Sequence, residues 1–306
     1  MTRQDHNSTT PFGRLVTAMV TPLRADGSLD LDGAAQLAAY LVDQQGNDAL
    51  VVNGTTGESP TTTDAEKESL LRTVVEAVGD RAQVIAGVGT NDTRHSIELA
   101  RTAEKAGADG ALVVTPYYNR PPQTGLIAHF TAVADASGLP VMLYDIPGRS
   151  GVPIETETIV RLAEHERIVA VKDAKGDILA ASWVTARSDL AFYSGDDKHT
   201  LALLAVGAVG VVGVITHLFG RTARAMIDAY LRGTPAESVL RHRELLPAYE
   251  GFFRTQGVIM VKAALRLLGL PAGPVRLPLV DATTAEIEQL QADCAAAGLV
   301  LEGAPR

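Results

Sequence analysis

The chain has 306 residues, of which 46% are hydrophobic, and a formal net charge of −9. That length suits one α/β barrel or two smaller domains, and the acidic balance argues against nucleic acid or an anionic membrane as the main partner. No apolar run reaches the roughly 18 residues of a membrane-spanning helix. These properties do not exclude an acidic small molecule, which a local basic pocket could bind.

The N-terminal segment "MTRQDHNSTTPFG" is polar and has no apolar core, so we expect no signal peptide. Cys294 is the only cysteine, which excludes an intrachain disulfide and a cysteine-rich metal site. Such cysteine usage is typical of the reducing cytosol. We therefore expect a cytoplasmic protein.

Eight short apolar runs rich in Val and Ile follow, and amphipathic stretches separate them. Near-continuous runs of this size are typical of strands buried on both faces of a parallel sheet. In the stretch 62–80, Thr63 and Glu66 predict a capping box at the start of a helix, and Gly107 predicts a helix end after 92–106. The predicted strands are 15–20, 49–54, 82–89, 110–116, 140–147, 167–173, 189–195 and 210–216.

Eight strand–helix units in about 210 residues predict an α/β fold of the (β/α)8 TIM-barrel type, with parallel strands and right-handed crossovers. The alternative is an open doubly wound sheet, which we would expect to carry a glycine-rich dinucleotide turn after an early strand. The first strand leads instead into "VTPLRADG" (20–27). This segment favours the barrel.

From residue 221 onward the strand pattern stops and four helical segments follow. We expect the first to close the barrel and the others to form a C-terminal helical extension packed on it, because no low-complexity linker intervenes. The predicted division is a polar tail at 1–12, the barrel at 13–233 and the extension at 234–306. The four helical segments are 221–233, 235–254, 257–270 and 283–299.

Lys172 is the only lysine that ends a predicted strand, and active sites of this fold lie at the carboxyl ends of the strands. A lysine desolvated there has a pKa below its ordinary value of about 10.4. Its neutral amine can attack a carbonyl and form a Schiff base. The alternative is a structural lysine paired with Asp145 or Asp173. For the other lysines we expect solvated side chains: Lys67, Lys105, Lys175, Lys198 and Lys262.

The segment "YDIPGRSG" (144–151) ends the fifth predicted strand. Tyr144 there can donate and accept a proton, and Arg149 suits bidentate binding of a carboxylate. Taken alone, such a tyrosine is equally compatible with packing, and such an arginine with a surface charge.

Two other loops also follow predicted strands. "NGTTGES" (53–59) combines a tight glycine turn with the hydroxyls of Thr55 and Thr56, and such a turn before a helix can hold a carboxylate. The loop after the fourth strand carries Tyr117 and Tyr118, which could equally be structural or lie at an interface.

The seven histidines are scattered and form no His-x-x-x-His or similar ligand pair. The sequence contains neither a P-loop nor a dinucleotide fingerprint. We therefore expect no metal site and no cofactor.

Five motifs occur in order: "GTTGESPTTT" (54–63), "VVTPYYNRPPQ" (113–123), "LYDIPGRSG" (143–151), "VKDAKGD" (171–177) and "YSGDD" (193–197). In content and spacing this set resembles the dihydrodipicolinate synthase family, also named the 4-hydroxy-tetrahydrodipicolinate synthase family, and its actinobacterial members most closely. The resemblance covers nearly the whole chain. Each motif alone is weak, whereas the set is highly specific.

The resemblance implies a class I aldolase-type reaction in lysine and diaminopimelate biosynthesis. Lys172 matches the family's lysine that forms a Schiff base with pyruvate. Loss of a proton then gives an enamine, which attacks the aldehyde of L-aspartate 4-semialdehyde, and the amine of that substrate displaces the lysine as the ring closes. Thr56 and Gly195 match residues that bind the carboxylate and carbonyl region of pyruvate, and Val212 matches a residue that lines the pocket beside them.

By the same resemblance, Tyr144, Thr55 and Tyr118 match the family's proton relay, in which the tyrosine at position 118 comes from a neighbouring subunit. Arg149 matches the arginine that binds the carboxylate of the semialdehyde. The resemblance therefore implies a homotetramer, a dimer of dimers, in which association completes the active site.

The chain departs from the family in two places. Many members carry an Asn-Pro-x-Pro-Val-Lys segment, whereas 255–265 keeps its lysine and lacks both prolines, so the subunit packing of other members does not transfer directly. Feedback-sensitive relatives bind lysine with histidines and a glutamate, and the matching residues here are Asp64, Lys67 and His95. We expect weak or absent inhibition by lysine, because a cationic effector should bind poorly beside Lys67.

Two alternatives remain open. Other pyruvate-dependent class I aldolases, of the N-acetylneuraminate lyase or keto-deoxy sugar acid aldolase type, share the barrel, the lysine and the tyrosine, although Arg149 favours the semialdehyde. A non-catalytic, ligand-binding barrel would be expected to have lost part of the matched set, yet Lys172, Tyr144 and Thr55 are all present.

Overall fold

In the computed structural model, which describes residues 10–302, eight parallel strands form one closed barrel in sequence order. The first strand pairs with both the second and the eighth. The predicted (β/α)8 barrel is thereby confirmed, and the open doubly wound sheet is wrong. The strands are β1 (Leu15–Ala18), β2 (Ala49–Val52), β3 (Gln83–Gly87), β4 (Gly110–Val114), β5 (Val141–Asp145), β6 (Ile168–Asp173), β7 (Ala191–Ser194) and β8 (Gly210–Gly213).

Helices connect the strands, and three more follow. Within residues 10–302, no helix is long and apolar enough to cross a membrane. The connecting helices are α1 (Leu31–Ala39), extended by a π-helical turn (Tyr40–Gln44), α2 (Asp64–Val78), α3 (Thr93–Lys105), α4 (Gln123–Asp135), α5 (Pro147–Ser150), α6 (Thr156–Leu162), α7 (Ile178–Arg187), α8 (Thr200–Leu204) and α9 (Thr216–Leu231). The C-terminal helices are α10 (Pro235–Phe252), α11 (Gly257–Leu267) and α12 (Thr284–Ala296).

Local signals in the sequence set the ends of two helices as predicted. The Glu66 carboxylate accepts a hydrogen bond from the Thr63 N–H at 2.8 Å, and the Thr63 hydroxyl caps α2 in return. Gly107 follows α3 with a φ of 90°, a left-handed conformation that favours glycine.

Helix α9 begins at Thr216, five residues before the helical segment predicted from 221. Of the residues that we assigned to the end of a strand, Val214 and Ile215 lie instead between β8 and this helix, and Thr216 is the first residue of the helix. A short, fully buried apolar run has the same pattern in either element, so periodicity could not separate them.

Alternation along the strands divides the side chains between the barrel interior and the surrounding helices. In the parallel register, Tyr144 of β5 lies beside Lys172 of β6, and Asp145 lies beside Asp173. Tyr144 belongs to the interior layer. The first pair therefore faces the inside of the barrel at the carboxyl ends of its strands, and the two aspartates face the other side.

Phe12 is fully buried in the interior layer at the amino-terminal end of the barrel. Its N–H donates a hydrogen bond to the Tyr193 hydroxyl at 3.3 Å. This end of the barrel thus includes a residue of the segment 1–12 that we predicted as a polar tail. Residues 1–9, on which the signal-peptide expectation rests, lie outside the described residues.

A buried ion pair ties α11 to the loop after β2. The Nζ atom of Lys262 lies 2.5 Å from Oε1 of Glu58, and both side chains are almost completely buried. Lys262 also donates to the Pro274 carbonyl at 2.8 Å, and the second Glu58 oxygen accepts from the Arg276 N–H at 2.8 Å. Every charge of the pair therefore has a partner, which a buried ion pair requires.

The solvated positions predicted for Lys67 and Lys262 are wrong, because both side chains are buried. Lys67 donates a hydrogen bond to the Thr62 carbonyl, and Lys262 binds Glu58. Lys105 and Lys198 are exposed as predicted. A helical pattern indicates which face of a helix packs. It does not indicate whether a residue from another part of the chain provides a partner for a charged side chain on that face.

We expect Lys262→Met to lower the free energy of unfolding by about 3–5 kcal/mol, because the Glu58 carboxylate would stay buried without its partner. Urea unfolding followed by circular dichroism measures this. Lys105→Met removes a lysine from an exposed helical position and should change stability by less than about 0.5 kcal/mol. Adding Glu58→Gln to Lys262→Met should recover part of the loss, and equal stabilities of all these variants would contradict the assignment.

Candidate active site

A cavity of about 370 Å³ lies at the carboxyl ends of the strands. A second cavity, of about 230 Å³, shares Thr55, Tyr144 and Arg149 with it. The structure brings six of the eight predicted site residues into the wall of the larger cavity: Thr55, Thr56, Tyr144, Arg149, Lys172 and Gly195.

Lys172 is the next-to-last residue of β6 and lines this cavity, and only 4% of its surface is exposed. Its Nζ atom lies 4.1 Å from the centroid of the Tyr144 ring. Burial lowers the pKa of Lys172 to about 8, against the opposing effect of the Asp197 carboxylate, and the positive charge of Arg149 lowers this pKa further. At neutral pH roughly a tenth of such a lysine is the free amine, on the order of 10² times the fraction of an ordinary lysine.

The neighbouring lysine, Lys175, binds the carboxylates that could have paired with Lys172. Its Nζ atom lies 3.1 Å from Oδ2 of Asp145 and 4.0 Å from Oδ2 of Asp173. The solvated position predicted for Lys175 is therefore wrong, and so is the alternative in which Lys172 pairs with either aspartate. Strand alternation explains both results, because it turns Asp145 and Asp173 away from the interior.

Gly195, just after β7, gives the Lys172 side chain its space. A Cβ atom at this position would lie 2.9 Å from Cγ of Lys172 and 3.0 Å from the Asp173 carbonyl oxygen. The Gly195 N–H donates to that same carbonyl at 2.6 Å. Any larger residue would therefore push against both the lysine stem and the backbone of β6.

Tyr144 is the aromatic wall beside the amine. Burial raises the pKa of its phenol to about 12, while the Arg149 charge and a hydrogen bond with Thr55 act in the opposite direction. The phenol therefore stays protonated near neutral pH and can pass a proton to and from a hydroxyl neighbour.

The turn that carries Thr55 and Thr56 is held in place on both sides. Inside the turn, the Glu58 N–H donates to the Thr55 carbonyl at 3.1 Å, and the Thr21 hydroxyl donates to the Gly57 carbonyl at 2.6 Å. Asn53 and Glu58 bracket the turn with φ angles of 61° and 57°. Such left-handed conformations in residues other than glycine are costly and persist where the surrounding contacts impose them.

Arg149 lies at the mouth, where its Nη2 donates to Oε1 of Gln256 at 2.6 Å. In the described part of the chain, its guanidinium forms no ion pair with a carboxylate. The side chain therefore keeps its positive charge available to an anionic ligand.

Two predicted site residues are not in the wall of the cavity. Tyr118 is 90% exposed and has a φ of 74°, and Val212 is fully buried in the interior layer. Val214, two residues further along, lines the cavity in its place.

Sequence reasoning gave no site role to several residues that the structure brings here. Among them, Gln256 and Glu58 line the wall, and the Asp197 carboxylate interacts electrostatically with Lys172. Asp197 is buried and accepts a hydrogen bond from the Val214 N–H at 2.9 Å. Burial raises the pKa of Asp197 to about 6, although the charge of Lys172 opposes this rise. Glu58 lies inside the "GTTGES" motif and Asp197 inside the "YSGDD" motif, so the motifs could have indicated both residues. Gln256 lies in none of the five motifs, and nothing in the sequence indicated its position.

Over residues 10–302, no three His, Cys, Asp or Glu side chains are grouped so that they could hold a metal ion. The chemistry of the cavity is that of a desolvated amine, a phenol, hydroxyls and a guanidinium. These groups suit covalent catalysis on a carbonyl compound that carries a carboxylate.

Comparison with known proteins gives a consistent result. The profile of the Dihydrodipicolinate synthetase family matches residues 11–297. The chain is 72% identical over 288 residues to a protein named 4-hydroxy-tetrahydrodipicolinate synthase from Acidothermus cellulolyticus, covering 94% of this chain and 93% of that one. It is 67% identical to 4-hydroxy-tetrahydrodipicolinate synthase 2 of Streptomyces coelicolor, covering 95% of this chain and 97% of that one.

Among solved structures, the dihydrodipicolinate synthase of Cyanidioschyzon merolae with lysine bound superposes with a TM-score of 0.92. The two chains are 45% identical, and the match covers 94% of this chain and 99% of the other. The fold, the order of the motifs and the identity over nearly the whole length agree: the chain belongs to the dihydrodipicolinate synthetase family.

Proposed function

We propose that the chain is a 4-hydroxy-tetrahydrodipicolinate synthase, which condenses pyruvate with L-aspartate 4-semialdehyde in the biosynthesis of diaminopimelate and lysine. The observation that carries this proposal is the desolvated Lys172 amine, 4.1 Å from the Tyr144 ring in a cavity that Arg149 also lines. The names of relatives up to 72% identical support the same activity.

In the proposed reaction, the Lys172 amine attacks C2 of pyruvate, and loss of water leaves a protonated Schiff base. A proton then leaves the methyl carbon to give an enamine, and this carbon bonds to the aldehyde carbon of the semialdehyde. The amine of the semialdehyde finally attacks the Schiff-base carbon. That step closes the ring and releases Lys172 as the free amine, so the enzyme returns to its starting state.

Thr56 and Gly195 are the proposed contacts for the carboxylate and carbonyl region of pyruvate, and both line the cavity that contains Lys172. Val212 is proposed to support this pocket from the layer below, since it is fully buried there. Arg149 is the proposed partner of the semialdehyde carboxylate, because it lines the same cavity and has a neutral neighbour.

Tyr144 and Thr55 are proposed to relay protons, supported by their shared position in the walls of both cavities. Tyr118 is proposed to complete the relay of a second copy of the chain, because its ring is 90% exposed in a left-handed backbone conformation. A homotetramer built as a dimer of dimers would provide this contact. A chain that sediments as a monomer in analytical ultracentrifugation and is fully active under the same conditions would contradict the proposed tetramer.

The proposed division into a barrel at 13–233 and an extension at 234–306 is supported by the end of the strands at Gly213. A cytoplasmic location is supported by the single, buried Cys294. Recovery of the mature protein from the culture medium would contradict that location.

We expect borohydride to trap pyruvate on Lys172 and on no other residue. Peptide mapping by mass spectrometry measures this, and Lys105→Met provides the control, since it changes an exposed lysine on α3 and should keep the modification at Lys172. A coupled assay should then show turnover with L-aspartate 4-semialdehyde and far less with sugar aldehydes. Modification elsewhere would contradict the mechanism, and a preference for sugar aldehydes would favour the other pyruvate-dependent aldolases.

The rate of trapping should rise with pH and level off above about 8. Burial lowers the pKa of Lys172 to about 8, and the free amine is the nucleophile, so each unit below that pKa should reduce the rate about tenfold. Single-turnover trapping between pH 6 and 10 measures this profile. A midpoint above 10 would mean that the amine is not desolvated.

We also expect weak or absent inhibition by lysine. Nε2 of His95 lies 2.9 Å from Oδ2 of Asp64, and Nζ of Lys67 lies 3.9 Å from its other oxygen. This acid is therefore already paired, and Lys67 adds a positive charge that repels a cationic effector. An inhibition curve measures the effect, and half-inhibition by sub-millimolar lysine would exclude this expectation.

A further inference from the structure

The environment of Arg149 is unusual for an arginine in an acidic protein with a net charge of −9. Its Nη2 donates to the side-chain oxygen of Gln256, 107 positions away, at 2.6 Å. Many other arginines of this chain bind carboxylates, as Arg276 does with Glu66 at 2.5 Å. The partner at the cavity mouth is instead a neutral amide.

A neutral acceptor and a carboxylate would act differently here. An amide oxygen and a carboxylate both accept a hydrogen bond from the planar guanidinium, so either group fixes its orientation. A carboxylate would also cancel the positive charge and compete with an anionic substrate for the same N–H groups. The Gln256 amide orients Arg149 and leaves both the charge and the remaining donors for a ligand.

The position of Gln256 adds to this effect. It is the residue before α11, and its side chain does not cap that helix, although it accepts from Arg149. Gln256, Gly257 and Val258 all line the larger cavity. The N-terminus of α11 therefore adds its partial positive charge to the side of the mouth where Arg149 lies.

We propose that Gln256 is a positioning residue that holds Arg149 for the second substrate and so sets the preference for an aldehyde carrying a carboxylate. The proposal rests on the assigned condensation reaction, and it makes the C-terminal extension part of the substrate site. Gln256 acts through Arg149 and takes no part in the bonds that form or break.

Gln256→Glu tests the role of the charge, and Gln256→Met tests the hydrogen bond in a side chain of similar length. Because Gln256 is exposed, both variants should fold like the parent chain. We expect Gln256→Glu to raise the KM for L-aspartate 4-semialdehyde about tenfold or more, with a much smaller change in kcat. Gln256→Met should raise the KM about threefold. Borohydride trapping of pyruvate on Lys172 should persist in both.

Gln44→Glu is the matched control, because it adds the same charge at an exposed residue just before β2, at the amino-terminal end of the barrel. It should leave the KM unchanged. In a double-mutant cycle on kcat/KM, Gln256→Glu should have little further effect once Arg149→Ala is present, because its target is gone. If Gln256 had only a structural role, the losses in kcat/KM from the two single substitutions would add in the double variant.

The outcomes separate the two proposals. An unchanged semialdehyde KM in Gln256→Glu, or additivity with Arg149→Ala, would overturn the role of Gln256 while trapping on Lys172 leaves the condensation intact. Absence of trapping in the unaltered chain would overturn the proposed function itself. A raised KM with retained trapping and non-additivity would support both.

Discussion

Desolvation of the Lys172 amine is the constraint on which the active site depends. The amine is useful only if burial lowers its pKa to about 8, and a carboxylate in direct contact would restore the charge. The alternation of β5 and β6 separates these groups, since it sends Tyr144 and Lys172 inward and Asp145 and Asp173 outward. Lys175 then lies beside both outer aspartates, closer to Asp145, on the far side of the sheet.

Features set by local physics were predictable from the sequence. Doubly buried strands need continuous apolar runs, so the eight strands and the barrel followed from their pattern, and the capping box of α2 followed from Thr63 and Glu66. The position of Lys172 at a strand end followed in the same way. The resemblance to a family then assigned roles to Tyr144 and Arg149, which position alone left open.

Features that depend on distant partners were not predictable. Lys262 and Glu58 are 204 positions apart, and Arg149 and Gln256 are 107 positions apart, so no window of sequence contains either pair. Helical periodicity predicted solvent around Lys262 because a charge is seldom fully buried unless paired. The start of α9 was missed for a different reason, since short buried runs look alike in strands and helices.

These distant pairs change the meaning of the C-terminal helices. Lys262 supports Glu58, which ends the turn that carries Thr55 and Thr56, and Gln256 holds Arg149 in the wall of the same cavity. Helix α11 and the residue that precedes it thus support the contacts proposed for both substrates. An extension with these contacts is not an appendage to a complete barrel. It orients the Arg149 charge and pairs the Glu58 carboxylate in the cavity wall, so the barrel and the extension form the site together.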